Sequence, residues 1–225
     1  MSKSDFDLIH QNQSTESKIV AALERIAQAF RVLLWQESKT FSLSPIQVQV
    51  LIFLLYHSEE KRKVSYLAGE FNMTKATISD TIKILEQKNL VAKKYEPLDT
   101  RSYVINLTGK GKEIAGKTAF FSEEIRAPIE ELQQDDKENL LLSLFSIIRR
   151  LNETGIITIQ RMCTTCIHYQ PPENGQEPFC KLLNQYLHAT DLRVDCPEYD
   201  GEEAGANRTA SGSDRNTKKY GRRNH

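Results

Sequence analysis

Between Thr74 and Leu107 the spacing of apolar residues changes from a helical period to a strand-like one, and this change restricts the fold more than any other feature of the chain. Ile78, Ile82 and Leu85 recur at i, i+4 and i+7, which places them on one helical face. Thr74 stands where an N-cap is needed, and Asn89 where a helix ends in the left-handed conformation that asparagine tolerates. Two stretches rich in β-branched and aromatic residues follow, Val91–Tyr95 and Ser102–Leu107, separated by the turn-rich Glu96-Pro97-Leu98-Asp99-Thr100-Arg101. A short helix over Val64 to Phe71, with Leu67, Ala68 and Phe71 facing inward, precedes them. Helix, turn, helix, hairpin is the order of a winged helix-turn-helix.

Helical patterns flank this unit on both sides. Residues 17–37 place Ile19, Leu23, Ile26, Ala27, Phe30, Leu33 and Leu34 on a stripe broad enough to meet a partner chain. Ser44-Pro45-x-Gln47 reads as an N-cap, a first-turn proline and a capping box, and Ile46 to Tyr56 is apolar on most faces. Thr108-Gly109-Lys110-Gly111 opens a pattern through Ile114, Phe121, Ile125, Ile129 and Leu132, which Pro128 is expected to kink or interrupt. Asp135-x-x-Glu138 starts a last helix with Leu140, Leu141, Leu144, Phe145, Ile148 and Leu151 as its stripe. The expected fold is mainly α with a small β-wing, a winged helix-turn-helix with a helical dimerisation region, followed by a small cysteine-rich module. The divisions are a flexible N-terminus over 1–16, the winged-helix domain over 17–153, a four-cysteine module over 154–200 and a disordered tail over 201–225.

Charge is balanced overall but not along the chain: residues 61–112 hold 11 Lys and Arg against five Asp and Glu. That basic segment coincides with the winged helix, as nucleic-acid binding requires. The longest apolar run, Val50 to Tyr56, is too short to cross a bilayer, and the N-terminus lacks a secretory pattern, so a cytoplasmic location is expected.

On the helix after Thr74, Lys75, Ala76, Ser79, Asp80, Lys83 and Gln87 lie opposite the apolar stripe, and Thr77 lies at the N-terminal end. Small and polar side chains suit entry into a major groove, although a solvated amphipathic helix has the same pattern. Asp99-x-Arg101 places a carboxylate where it can orient a guanidinium on a thin wing, a geometry suited to the minor groove. The plainer alternative is a surface ion pair worth under about 1 kcal/mol.

Ser44-Pro45-Ile46-Gln47-Val48-Gln49-Val50-Leu51, the Thr74–Leu90 helix and Leu98-Asp99-Thr100-Arg101-Ser102-Tyr103-Val104-Ile105-Asn106-Leu107-Thr108-Gly109-Lys110-Gly111 together resemble the MarR-type winged-helix transcriptional regulators. The resemblance covers about residues 17–153. It implies an obligate homodimer built from the first and last helices and binding double-stranded DNA at a pseudopalindromic operator, and the role expected of the chain is that of a repressor. By matching position it assigns Lys75, Thr77, Ser79, Asp80 and Lys83 to the recognition helix and Arg101, supported by Asp99, to the wing. Asn89 departs from the glycine usual at that position. Many relatives bind a small-molecule effector between the dimerisation helices and the winged domain, and no residue pattern in this chain marks that pocket.

The only four cysteines form Cys163-x2-Cys166-x13-Cys180-x15-Cys196. In a reducing compartment such clustering favours a shared inorganic centre over disulfides, and four thiolates suit either tetrahedral zinc or an iron–sulfur cluster. One C-x2-C pair instead of two weakens the zinc reading, and Cys196-Pro197 resembles the end of cluster-binding segments. His168 and His188 are substitute ligands or solvent-facing side chains. The extension is similar to four-cysteine segments appended to some MarR-like regulators. A thiol-disulfide oxidoreductase is a rival reading of C-x2-C, yet the expected all-helical context argues against it and no other catalytic pattern occurs, so an enzyme is not expected. A protein-binding adaptor using the winged helix without DNA is the other alternative.

Overall fold

A computed structural model of the protein describes residues 4–96, 99–173 and 175–201, without the side chains of residues 96–101. The chain divides into two compact units between Ile159 and Gln160. The tail expected over 201–225 lies outside the described residues from 202 onward.

The first unit begins with α1 (Leu8–Gln13), a helix where the sequence suggested only a flexible segment. Asp7 caps it by accepting from the backbone N–H groups of Ile9 and His10, and the Ser17 hydroxyl donates to Asp5 at 2.7 Å. Next come the long α2 (Thr15–Thr40) and α3 (Pro45–Tyr56). The capping box of α3 forms as its sequence suggests, with the Ser44 hydroxyl accepting from the Gln47 N–H and the Gln47 side chain accepting from the Ser44 N–H at 3.0 Å. A helix apolar on most faces has to be enclosed, and Val48, Val50, Leu51 and Leu54 of α3 are all at most 1% exposed. They centre a core that α5 (Lys75–Gln87) completes with Ile78, Ile82 and Leu85 and α4 (Val64–Glu70) with Leu67.

Both helices of the helix-turn-helix end on left-handed asparagines, Asn72 (φ 50°) and Asn89 (φ 57°). At the second, the Leu90 N–H reaches the Leu85 carbonyl and the Asn89 N–H the Glu86 carbonyl, each at 2.9 Å, so the last carbonyls of α5 are satisfied as the chain turns away. The wing follows as antiparallel β1 (Val91–Glu96) and β2 (Asp99–Leu107), with Val91 opposite Leu107 and an irregularity at Tyr95/Glu96. Ile105 donates to the Arg62 carbonyl at 2.9 Å, which ties the segment before α4 to β2.

Thr108 closes the wing onto α6 (Gly109–Thr118): its hydroxyl accepts from the Gly111 N–H at 3.0 Å and donates to the Asn89 carbonyl at 2.8 Å. The helical pattern then breaks at 119–122 rather than at Pro128, which sits inside α7 (Glu123–Glu130) two residues before its end. Phe121, in that break, packs edge-on against Phe30 of α2 at 6.4 Å between ring centres. After α8 (Gln134–Glu153) the chain turns at Gly155 (φ 76°), and Thr158 donates to the Gly69 carbonyl of α4 at 2.7 Å.

The second unit has little regular structure. Three two-residue strands, β3 (Tyr169–Gln170), β4 (Phe179–Cys180) and β5 (Gln185–Tyr186), form an antiparallel sheet in that order. Single-turn 3-10 helices occupy Cys163–Thr165 and Ala189–Asp191, and Arg161 and Asp195 form a parallel bridge. Met162, Leu187 and Leu192 are its buried apolar residues among those described, a core too small to hold strands this short unaided.

No single helix among the described residues is long and apolar enough to cross a membrane. The pair α2 and α3 passes that test only when joined, yet it is bent by 88°.

Candidate nucleic-acid interface and thiolate cluster

The fold presents α5 with one face closed and the other open. Ile78, Ile82 and Leu85 are fully buried, whereas Lys75, Thr77, Ser79, Asp80 and Lys83 are all exposed. Thr77 is partly committed to the helix start: its N–H donates to the Thr74 hydroxyl at 3.1 Å and the two hydroxyls lie 2.8 Å apart. Thr81, one turn on, is buried with its hydroxyl on the Thr77 carbonyl at 2.9 Å. The open face therefore offers two cations, one carboxylate and small hydroxyls within about two turns, a set able to donate to phosphates and read base edges.

Asp99 and Arg101 lie on the β2 backbone, and their side chains fall outside the described residues. The described part of the wing is basic but largely paired. Lys93 bonds Glu86 at 2.7 Å, which raises its pKa, and its ammonium stands 5.2 Å from the Tyr103 ring centre. Lys94 pairs with Glu59 at 3.2 Å, and Tyr95 meets Tyr103 edge-on at 5.6 Å.

In the second unit all four cysteines, free thiols and each half-buried, line one cavity of about 20 Å³. Three separate stretches of chain bring them there. Cys163 and Cys166 flank a 3-10 turn in which the Cys166 N–H bonds the Cys163 carbonyl at 3.0 Å. Cys180 lies on β4 opposite Tyr169. Cys196 is held beside the first pair by crossed backbone bonds, Cys163 N–H to the Arg193 carbonyl at 3.1 Å and Cys196 N–H to the Arg161 carbonyl at 2.9 Å. The buried Arg161 guanidinium grips the Asp195 carboxylate with two hydrogen bonds, the longer at 2.9 Å, and so clamps the same two strands together.

Arg193 is the residue that sequence reasoning missed. Its backbone N–H donates to the Cys163 sulfur at 3.2 Å, and its guanidinium reaches the Cys196 sulfur at 3.5 Å while paired with Glu198 at 3.0 Å. The available signal was a cation three positions before a cysteine. Burial pushes the Cys163 thiol up, and the Arg193 N–H works against that shift. His168 lines the cavity, whereas His188 is bonded to Glu177.

Residues 41–102, from the residue that follows α2 into the first residues of β2, match the model of the MarR family. Over those residues the winged-helix unit is similar to the MarR family. The unit has the fold of MepR from S. aureus in its DNA complex, at 22% identity over 59% of this chain and 97% of that chain, with a TM-score of 0.52. MepR in its DNA-binding conformation gives the same identity and TM-score over 98% of its length. A MarR transcriptional regulator from Methanosarcina mazei Go1 matches at 17% identity over 60% of this chain and 97% of its own, also at 0.52. At these identities the structural likeness is one of fold. No match was found among curated proteins. The likeness to the MarR family supports a DNA-binding transcriptional regulator.

Proposed function

We propose that the chain is a homodimeric transcriptional repressor that places α5 in the major groove of a pseudopalindromic operator and its wing in the neighbouring minor groove. The observation that carries this reading is the two-faced α5, closed by Ile78, Ile82 and Leu85 and open at Lys75, Thr77, Ser79, Asp80 and Lys83. MepR, which shares the fold, has been seen in complex with DNA. Dimerisation is supported by apolar side chains left exposed on α2 and α8: Ile19 at 48%, Ile26 at 47%, Leu140 at 41% and Leu142 at 44%. Repression is the direction proposed, by occupancy of DNA that the transcription machinery would otherwise use. The second unit carries a shared four-thiolate centre at Cys163, Cys166, Cys180 and Cys196, zinc or iron–sulfur, that stabilises the unit or reports metal or redox state. A small-molecule effector is a further ligand expected of such a regulator.

Selection of genomic fragments on the purified protein, followed by footprinting, tests the reading. Two protected half-sites about one helical turn apart are expected. Absence of salt-sensitive binding to any fragment would leave the winged helix as a protein-binding adaptor.

A further inference from the structure

Resting on the shared four-thiolate site proposed above, we infer that Arg193 is the positioning residue of that site: it sets the Cys163 and Cys196 sulfurs toward a common occupant and supplies positive charge that four thiolates require. Its main chain is fixed first. The Cys163 N–H donates to the Arg193 carbonyl at 3.1 Å, while the Arg193 N–H donates back to the Cys163 sulfur at 3.2 Å. From that anchor the side chain reaches forward along its own segment, and Nη1 stands 3.5 Å from the Cys196 sulfur. One residue thus touches a sulfur from each of two separate segments, which is how a group outside the ligand set orients the ligands themselves.

The charge balance gives this contact its purpose. Each thiol gives up its proton to solvent as its sulfur bonds a metal, so the four thiolates together carry four negative charges. A zinc ion, or an oxidised iron–sulfur core, returns about two positive charges, so either occupant leaves the centre anionic. Asp191 and Glu198 line the same cavity and add to that charge, whereas Arg193 is the only Lys or Arg lining it among the described residues. Arg161, the other arginine on these segments, is engaged by Asp195. Glu198 competes for the same groups: Arg193 Nη1 donates to it at 3.0 Å, and the Cys196 thiol donates to it at 3.7 Å. Once Cys196 is a thiolate that second donation ends and the carboxylate repels the sulfur, which leaves Nη1 as the donor between two anions. Arg193 and Glu198 therefore act on the centre with opposite sign.

The full metal-free chain, kept reduced, is titrated with cobalt(II) against a competing chelator and followed by its thiolate-to-cobalt absorption. Arg193→Gln is expected to bind about 10–100-fold more weakly than the parent, Arg193→Lys to recover most of the loss, and Glu198→Gln to bind at least as tightly as the parent. Because the Arg193–Glu198 pair is partly exposed, the metal-free proteins should melt alike. Parental affinity in Arg193→Gln overturns the role. So does a loss in Glu198→Gln equal to that in Arg193→Gln, which marks the pair as a structural clamp only. A parent chain that takes up neither cobalt(II) nor ferrous iron with sulfide overturns the shared site itself, and the role of Arg193 with it.

Discussion

Gly111 approaches Leu90 so closely that a β-carbon on the glycine would stand 1.9 Å from the Leu90 carbonyl oxygen. That carbonyl also accepts from the Thr108 N–H at 3.0 Å, so it is fixed at the joint between the wing and α6. Gly111→Ala must displace backbone, and overpacking of this kind costs roughly 1–3 kcal/mol. A lowered melting temperature with weakened DNA binding is expected. Gly109→Ala, in the same first turn with no atom within 4 Å of its added carbon, should melt near the parent protein.

Removal of the wing arginine should weaken DNA binding without unfolding the protein. Arg101→Ala is expected to cost roughly 1–3 kcal/mol of operator affinity, read by titration of a footprinted fragment. Parental affinity would reduce Arg101 to a surface charge.

The exposed stripe of α2 should govern assembly. Ile26 is 47% exposed on α2, as are Ile19, Leu23 and Phe30 of the same stripe to similar degrees, so Ile26→Glu puts a carboxylate into any interface formed there. Light scattering should show a dimer for the parent chain and a monomer for the variant. A parent chain that is monomeric at micromolar concentration removes the two-fold operator.

Serine at any of Cys163, Cys166, Cys180 or Cys196 should have the same effect on metal content, because the four thiols line one cavity and a shell missing one thiolate loses both affinity and local structure. If only Cys163 and Cys166 worked as a redox dithiol, the Cys180 and Cys196 variants would retain that chemistry. Operator affinity across the series separates a structural centre from a sensing one, since only a sensor couples the two.

Asp195→Ala should loosen the second unit while the first melts as before. It removes the charge-assisted pair with the buried Arg161, worth roughly 1–3 kcal/mol, and with it the clamp between the Cys163 and Cys196 strands. Faster reaction of the four thiols with a thiol reagent is the expected readout.

Much of the winged helix was legible in the sequence because its determinants are local. The Ser44/Gln47 box, the Ile78/Ile82/Leu85 stripe and the left-handed Asn89 each act within a few residues of the chain. Elements set by distant contacts were not legible. The break at 119–122 contains no glycine or proline, and the Phe121 partner, Phe30, is far away in sequence. The helix α1 was hidden for another reason: Leu8 and Ile9 are 71% and 74% exposed, so six residues offered no buried stripe to read. In the second unit the spacing of the cysteines identified the donors, but the role of Arg193 depends on a fold that brings residue 193 back to residue 163.

The pairing of Lys93 with Glu86 and of Lys94 with Glu59 changes how the basic segment meets a polyanion. A lysine already neutralised by a carboxylate displaces few counterions when a phosphate arrives, because the phosphate must first compete with the protein's own acid. Of the 11 basic residues between 61 and 112, those two give little to the ionic-strength dependence. Lys75 and Lys83 have no ion-pair partner among the described residues, so they release counterions in full. The slope of log K against log salt should therefore report the recognition helix far more than the base of the wing, and should be shallower than the positive charge of the segment alone implies.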